Sequence, residues 1–257
     1  MIDTNVHLSR WPFRRLVGDE TPDLVARLRK RNVRQAWAGS FDGLLHKDIA
    51  GVNARLAADC RTYGAGFLVP FGSINPKLPD WQEDVRRCAE EHRMPGIRLH
   101  PNYHGYELKD PVFAELLHAA TARKLIVQLV PSMEDTRTQH PLLHVPPVDV
   151  SALPALVKSE PGLRLVMLNW APSVRGPRLK ALADAGAVYF DISTMEGTEG
   201  VARLADQLTP DRVLFGSHFP FFYFEAAMLK MEESGLPEDA KTRILQGNAS
   251  RILAGNP

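Results

Sequence analysis

Eight short apolar runs recur along the chain, at residues 2–8, 34–41, 66–74, 96–101, 125–131, 163–170, 187–193 and 212–220. Each is followed by a stretch with helical spacing, and that alternation allows few architectures. Near-continuous apolar runs suit parallel strands covered on both faces, and parallel strands need crossover helices between them. The helical stretches carry their own signals. Phe113, Leu116, Leu117 and Ala120 form one stripe, opened by Asp110 at the N-cap position and Pro111 in the first turn, where a missing N–H costs nothing. Val201, Leu204, Ala205 and Leu208 form another, and Phe224, Ala227, Met228 and Met231 a third. Eight such units predict an α/β fold, the (β/α)8 or TIM barrel, and 257 residues is an ordinary length for one. No Gly/Ser-rich linker interrupts the pattern, so a single domain is expected over 1–257.

Thirty-one basic residues stand against 30 acidic ones, and the one short basic cluster, Arg27 to Arg34, reads as a solvated helix face, so nucleic acid is not an expected partner. No apolar run approaches the roughly 20 residues of a membrane span, and a membrane partner is not expected either. Cys60 and Cys88 lack the spacing of a zinc or redox motif and read as buried thiols. With no basic-then-apolar leader after Met1, a cytoplasmic location is the simplest expectation.

In a barrel of this kind the chemistry sits where the loops leave the C-terminal strand ends. Strand side chains alternate, so Asn5 shares a side with His7, Arg98 with His100, and Gly216 with His218. On the inner side, three imidazoles and a guanidinium would meet in one place. Arg98 has a second reading, a structural bridge to Asp191 or Glu134. The only long irregular stretch, 132–150, leaves the fifth strand at that face and carries Glu134, Asp135, Arg137, Gln139, His140 and His144. It is expected to fold over the mouth as a lid. Arg137 and Arg98 would suit a carboxylate, which a guanidinium grips by two parallel hydrogen bonds.

Several segments resemble the amidohydrolase-2 family of metal-dependent hydrolases. Ile2-Asp3-Thr4-Asn5-Val6-His7 looks like its first strand and Gly96-Ile97-Arg98-Leu99-His100-Pro101 like its fourth. Gly216-Ser217-His218-Phe219-Pro220-Phe221 is similar to its eighth, and Gly247-Asn248-Ala249-Ser250-Arg251-Ile252-Leu253 to its closing helix. The resemblance implies a metal site built from two first-strand histidines, one histidine each from strands five and six, and an aspartate from strand eight. This chain departs from that set. Asn5 stands at the first histidine, Val130 at the fifth-strand position, Asn169 at the sixth and His218 at the aspartate, leaving His7. Amide oxygens are poor ligands for a borderline-soft ion and valine is none.

The expectation is therefore a hydrolase of C–N or C–O bonds, or a decarboxylase, acting on a small polar or carboxylated substrate at the C-terminal face. His218, His100 and His140 are its candidate catalytic residues, with His218 as the base in place of the lost carboxylate. Arg98, Arg137, Asn5 and Asn169 are candidates for binding substrate. No cofactor is expected, the alternative being a weakly held divalent metal such as zinc on His7 and His218. The partner is a small-molecule substrate, with a homo-oligomer left open. The competing reading is a barrel that has lost catalysis and binds a small acid or serves as a regulatory subunit.

Overall fold

The computed structural model describes residues 1–174 and 176–255. Its eight strands are β1 (Ile2–Leu8), β2 (Gln35–Ser40), β3 (Leu68–Ser73), β4 (Gly96–Leu99), β5 (Ile126–Leu129), β6 (Arg164–Met167), β7 (Ala187–Asp191) and β8 (Val213–Leu214). They run parallel in the order β1 to β8. The ring closes where Thr4 N–H donates to the Phe215 carbonyl and His7 N–H to that of Phe219. This is the expected (β/α)8 barrel.

The alternation read from the sequence decides which side chains meet. Val6, Ala38, Ile97, Leu99, Val127, Leu129, Leu165, Met167, Phe190 and Phe215 face outward into the layer shared with the helices. Inward, the lower part of the barrel is filled by Ile2, Trp37, Phe71, Ile126, Val166, Tyr189 and Leu214, with Ala249 and Ile252 of the helix Asn248–Leu253 against them. That end is a packed core, as in barrels generally.

β8 is much shorter than the expected run over 212–220. Beyond Leu214 the backbone leaves the ladder: Ser217 N–H donates to the Asp3 carboxylate at 3.0 Å, and His218 adopts a left-handed φ of 58°. The segment 132–150 contains only one helical turn, Thr136–Thr138. Cys60 and Cys88 are buried free thiols, as expected. Among the described residues no helix is long and apolar enough to cross a membrane.

Candidate functional site

Asn5 and His7 alternate with the outward Val6 and Leu8 on β1, whose register with β2 shifts between Asp3 and Val6, and face the barrel interior. There the His7 ring lies 5.2 Å from that of His218 and 6.4 Å from that of His100, and it stacks on Phe41 at 4.8 Å. These three histidines, Arg98, Asn5 and Asn169 are all buried. Sequence spacing did bring the three imidazoles together.

Arg98 has a different task from the one expected. Its Nε donates to Gln128 at 2.7 Å, its Nη1 to the Val6 carbonyl at 2.8 Å and to His7 Nε2 at 3.1 Å, and its Nη2 to the carbonyls of Trp37 at 3.0 Å and Thr4 at 3.5 Å. All five N–H groups of the guanidinium are taken, so none remains to grip a substrate. Its partners are neutral, not Asp191 or Glu134. Gly39 makes the passage possible: a Cβ there would stand 2.8 Å from Arg98 Cδ and Nη1. Burial lowers the Arg98 pKa to about 9, against the pull of Asp3 and Asp191.

The accepted bond from Arg98 puts the His7 proton on Nδ1, which has no partner among the described residues; neither do both nitrogens of His100 and Oδ1 of Asn5. His218 donates its Nε2–H to the Met133 carbonyl at 2.9 Å, which leaves Nδ1 as an acceptor. Burial holds His7 and His100 well below the ordinary imidazole pKa, with Arg98 and neighbouring histidines adding to the effect. Burial lowers His218 to about 3 despite the Met133 bond. The candidate base His218 is therefore not a group that titrates near neutrality. It is a neutral imidazole over the working pH range.

Asn5 and Asn169 lie in a network and do not point freely at a ligand. Asn5 Nδ2 donates to Asn169 Oδ1 and to Asp191 Oδ2, each at 2.8 Å. Ser193 Oγ donates to Asn169 Oδ1 at 2.8 Å, and Asn169 N–H to Asp191 Oδ1 at 3.0 Å. Two buried carboxyls flank the network, and burial raises both Asp191 and Asp3 to about 6. Neither was singled out as a site residue from the sequence. The signal available was an aspartate inside a strand, alone at the end of the otherwise apolar β7 and beside Thr4, Asn5 and His7 in β1.

The segment after β5 covers this centre through its own buried residues Met133 and Glu134, the first of them bonded to His218. His140 does not reach the histidines. Its ring stacks on Phe13 at 5.3 Å and its Nδ1 accepts from Leu142 N–H. Arg137 is mostly exposed and paired with Asp135 at 2.5 Å. Phe221 and Phe222 lie 5.0 Å from the His218 ring and close the top. An open cavity of about 810 Å³ is lined by Phe222 and Met133 and lies among the loops after β5, β6 and β7. Arg137 is the one expected site residue that lines it.

A family model for amidohydrolases matches residues 2–254. No curated protein matches the sequence. Among solved structures, 5-carboxyvanillate decarboxylase from Sphingomonas paucimobilis superposes with a TM-score of 0.77 at 14% identity, covering 99% of this chain and 98% of that one. A dihydroxybenzoic acid decarboxylase from a Polaromonas species, with bound manganese and 2-nitroresorcinol, gives 0.77 at 14% identity over 98% and 96% of the two chains. The manganese complex of 5-carboxyvanillate decarboxylase from Novosphingobium aromaticivorans gives 0.71 at 13% identity over 98% and 95%.

These structures overturn the expectation that no cofactor accompanies the fold, because barrels so similar carry manganese. The donor atoms of this chain make a poor match to such an ion. His7 Nδ1 and Asn5 Oδ1 are buried and unpartnered, but among the described residues no three His, Cys, Asp or Glu side chains come together as a ligand set.

Proposed function

We propose that this chain, which belongs to the amidohydrolase family, cleaves a small carboxylated molecule at the C-terminal face of its barrel, by decarboxylation or by hydrolysis of a bond beside the carboxylate. One observation carries the reading: His7, with the His218 and His100 rings 5.2 and 6.4 Å from its own, stands beneath a closing loop, near the buried carboxyl of Asp191, which burial pushes up to about 6. Buried, perturbed groups gathered in one place are what acid–base chemistry requires.

In this reading His100 and His7 offer nitrogens without partners to the polar groups of the substrate. His218 Nδ1 accepts a hydrogen bond, its ring held by Met133. Arg98 acts through its charge and not by contact. As pH falls through about 6, Asp3 and Asp191 lose charge and the centre, with Arg98 still cationic, becomes favourable to an anion. Aromatic hydroxyacids are the first substrates to try, since the neighbouring structures are decarboxylases of such acids. The barrel is taken to act as one domain, in a reducing compartment where Cys60 and Cys88 remain thiols.

The test is a panel of hydroxybenzoates assayed for CO2 release, and of lactones and amides assayed for hydrolysis, each with and without added manganese. Turnover of one class, reduced by roughly 10²-fold or more in His218→Ala, supports the reading. No turnover anywhere in the panel would leave the binding-protein alternative, which the full burial of the histidine centre favours.

A further inference from the structure

The cavity of about 810 Å³ is bounded by the loops after β5, β6 and β7 and by the helices Gly200–Leu208 and Phe224–Glu232. It does not reach His7, His100 or Arg98. Its most deeply placed cation is Lys230, on the second of those helices. Lys230 is half-buried, and its ammonium donates to the carbonyls of Ser193 at 2.5 Å and Ile192 at 3.4 Å, at the C-terminal end of β7. Two of its three N–H bonds are so accounted for, and among the described residues no carboxylate lies within ion-pair distance of it. A cation withdrawn from water and hydrogen-bonded only to neutral acceptors is incompletely compensated. Burial lowers the Lys230 pKa, against the pull of Asp191, Glu196 and Glu233.

We propose that this cavity binds a small monoanion, a carboxylate with an apolar body, on the ammonium of Lys230, with the Arg203 guanidinium as a second cation. Arg203 reaches the cavity from the helix Gly200–Leu208; its Nη1 is tied to the Thr198 carbonyl and it forms no ion pair among the described residues. Trp170, Leu179, Leu204 and Phe222 supply apolar wall for the ligand's body. The polarity is directional. Lys230 lies at the inner end, whereas Glu196, Glu233 and Asp135 line the cavity from exposed positions and the buried Glu134, also in its wall, is paired with Arg14 at 3.8 Å. A second negative charge on the ligand would meet those carboxylates, so a monocarboxylate is preferred over a dicarboxylate. This site is separate from the histidine centre and does not depend on which reaction occurs there.

Calorimetric titration of the full chain with benzoate, and with uncharged benzamide as its isostere, tests the proposal. Benzoate should bind about tenfold or more tightly than benzamide. Lys230→Met should weaken benzoate by about tenfold and Lys230→Arg should largely retain it, while Arg203→Gln, an exposed change that leaves the core untouched, should weaken it several-fold. His100→Gln, within the histidine centre, should leave the affinity unchanged. Absence of benzoate binding at about 10 mM, equal affinity for benzamide, or indifference to the Arg203 change would overturn the proposal. So would loss of binding in His100→Gln, which would move the anion to the centre.

Discussion

His218 and Met133 are joined by a hydrogen bond of 2.9 Å from Nε2–H to the backbone carbonyl, which ties the end of the eighth strand to the loop that closes the barrel. The same bond fixes the tautomer and holds the cover in place. Replacing His218 by Ala should therefore do two things. Activity should fall by roughly 10²-fold, and amide hydrogen exchange within residues 132–150 should quicken. Lost activity with unchanged exchange would mean that the bond does not restrain the loop.

Arg98→Met removes a guanidinium whose acceptors include Gln128 and the carbonyls of Val6 and Trp37, and leaves them buried without donors. The expected cost is about 3–5 kcal/mol of folding stability, the usual penalty for breaking a buried charged network. Urea unfolding checks it. A variant of full stability with a raised KM would instead assign Arg98 to substrate binding.

Stability should fall on acidification below about pH 6.5. Burial lowers the pKa values of His7, His100, His104 and His218, so the unfolded chain binds up to four imidazole protons that the native state lacks. Stability from these groups is present above the unfolded value of 6.5 and lost as pH drops below it. Asp3 and Asp191 act in the opposite sense. Raised to about 6 from 3.8, they contribute stability below 3.8 that is lost as pH rises through about 6. Between roughly pH 6 and 4 the lowered imidazoles outnumber the two raised carboxyls, so the unfolded chain binds more protons and stability falls with falling pH. Melting temperatures from pH 7.5 to 5 should decline; a flat or rising profile would contradict the neutral-histidine centre.

Affinity at the centre should follow the carboxyls. The KM of an anionic substrate should decrease as pH falls from about 7.5 to 5.5, because Asp3 and Asp191 neutralise through about 6. Asp191→Asn keeps the shape and should flatten much of that dependence. A pH profile identical to that of the parent would remove Asp191 from the account.

The barrel was legible because most of its strands are apolar on both faces, and strand alternation was enough to turn His7 inward; His100 and His218 lie just past the ends of their strands, His218 on left-handed backbone. Limits arose where a role depends on partners distant in sequence. Arg98 reads as an anion clamp until the carbonyls of Thr4, Val6 and Trp37 are seen around it. Lys230, among the polar residues of an amphipathic helix, looks like any solvated lysine, and the Ser193 carbonyl that holds it is 37 positions away. His140 was misread for a related reason: loop length indicates a cover but not which of its side chains turns inward, and its ring packs on Phe13. The brevity of β8 arises from the Asp3 carboxylate taking the Ser217 N–H, a side-chain bond that strand propensity does not register.

The Gly39 gap lets the Arg98 stem cross the inside of the barrel, directly above a floor sealed by Trp37, Tyr189 and the closing helix. Together they close the barrel beneath the histidines, while Met133 and Phe222 lie against His218 from above. In the proposed reaction that cover would have to move for departure of product as for arrival of substrate. Solvent viscosity, which slows such movements without altering bond-breaking, should then bear on turnover as much as on capture.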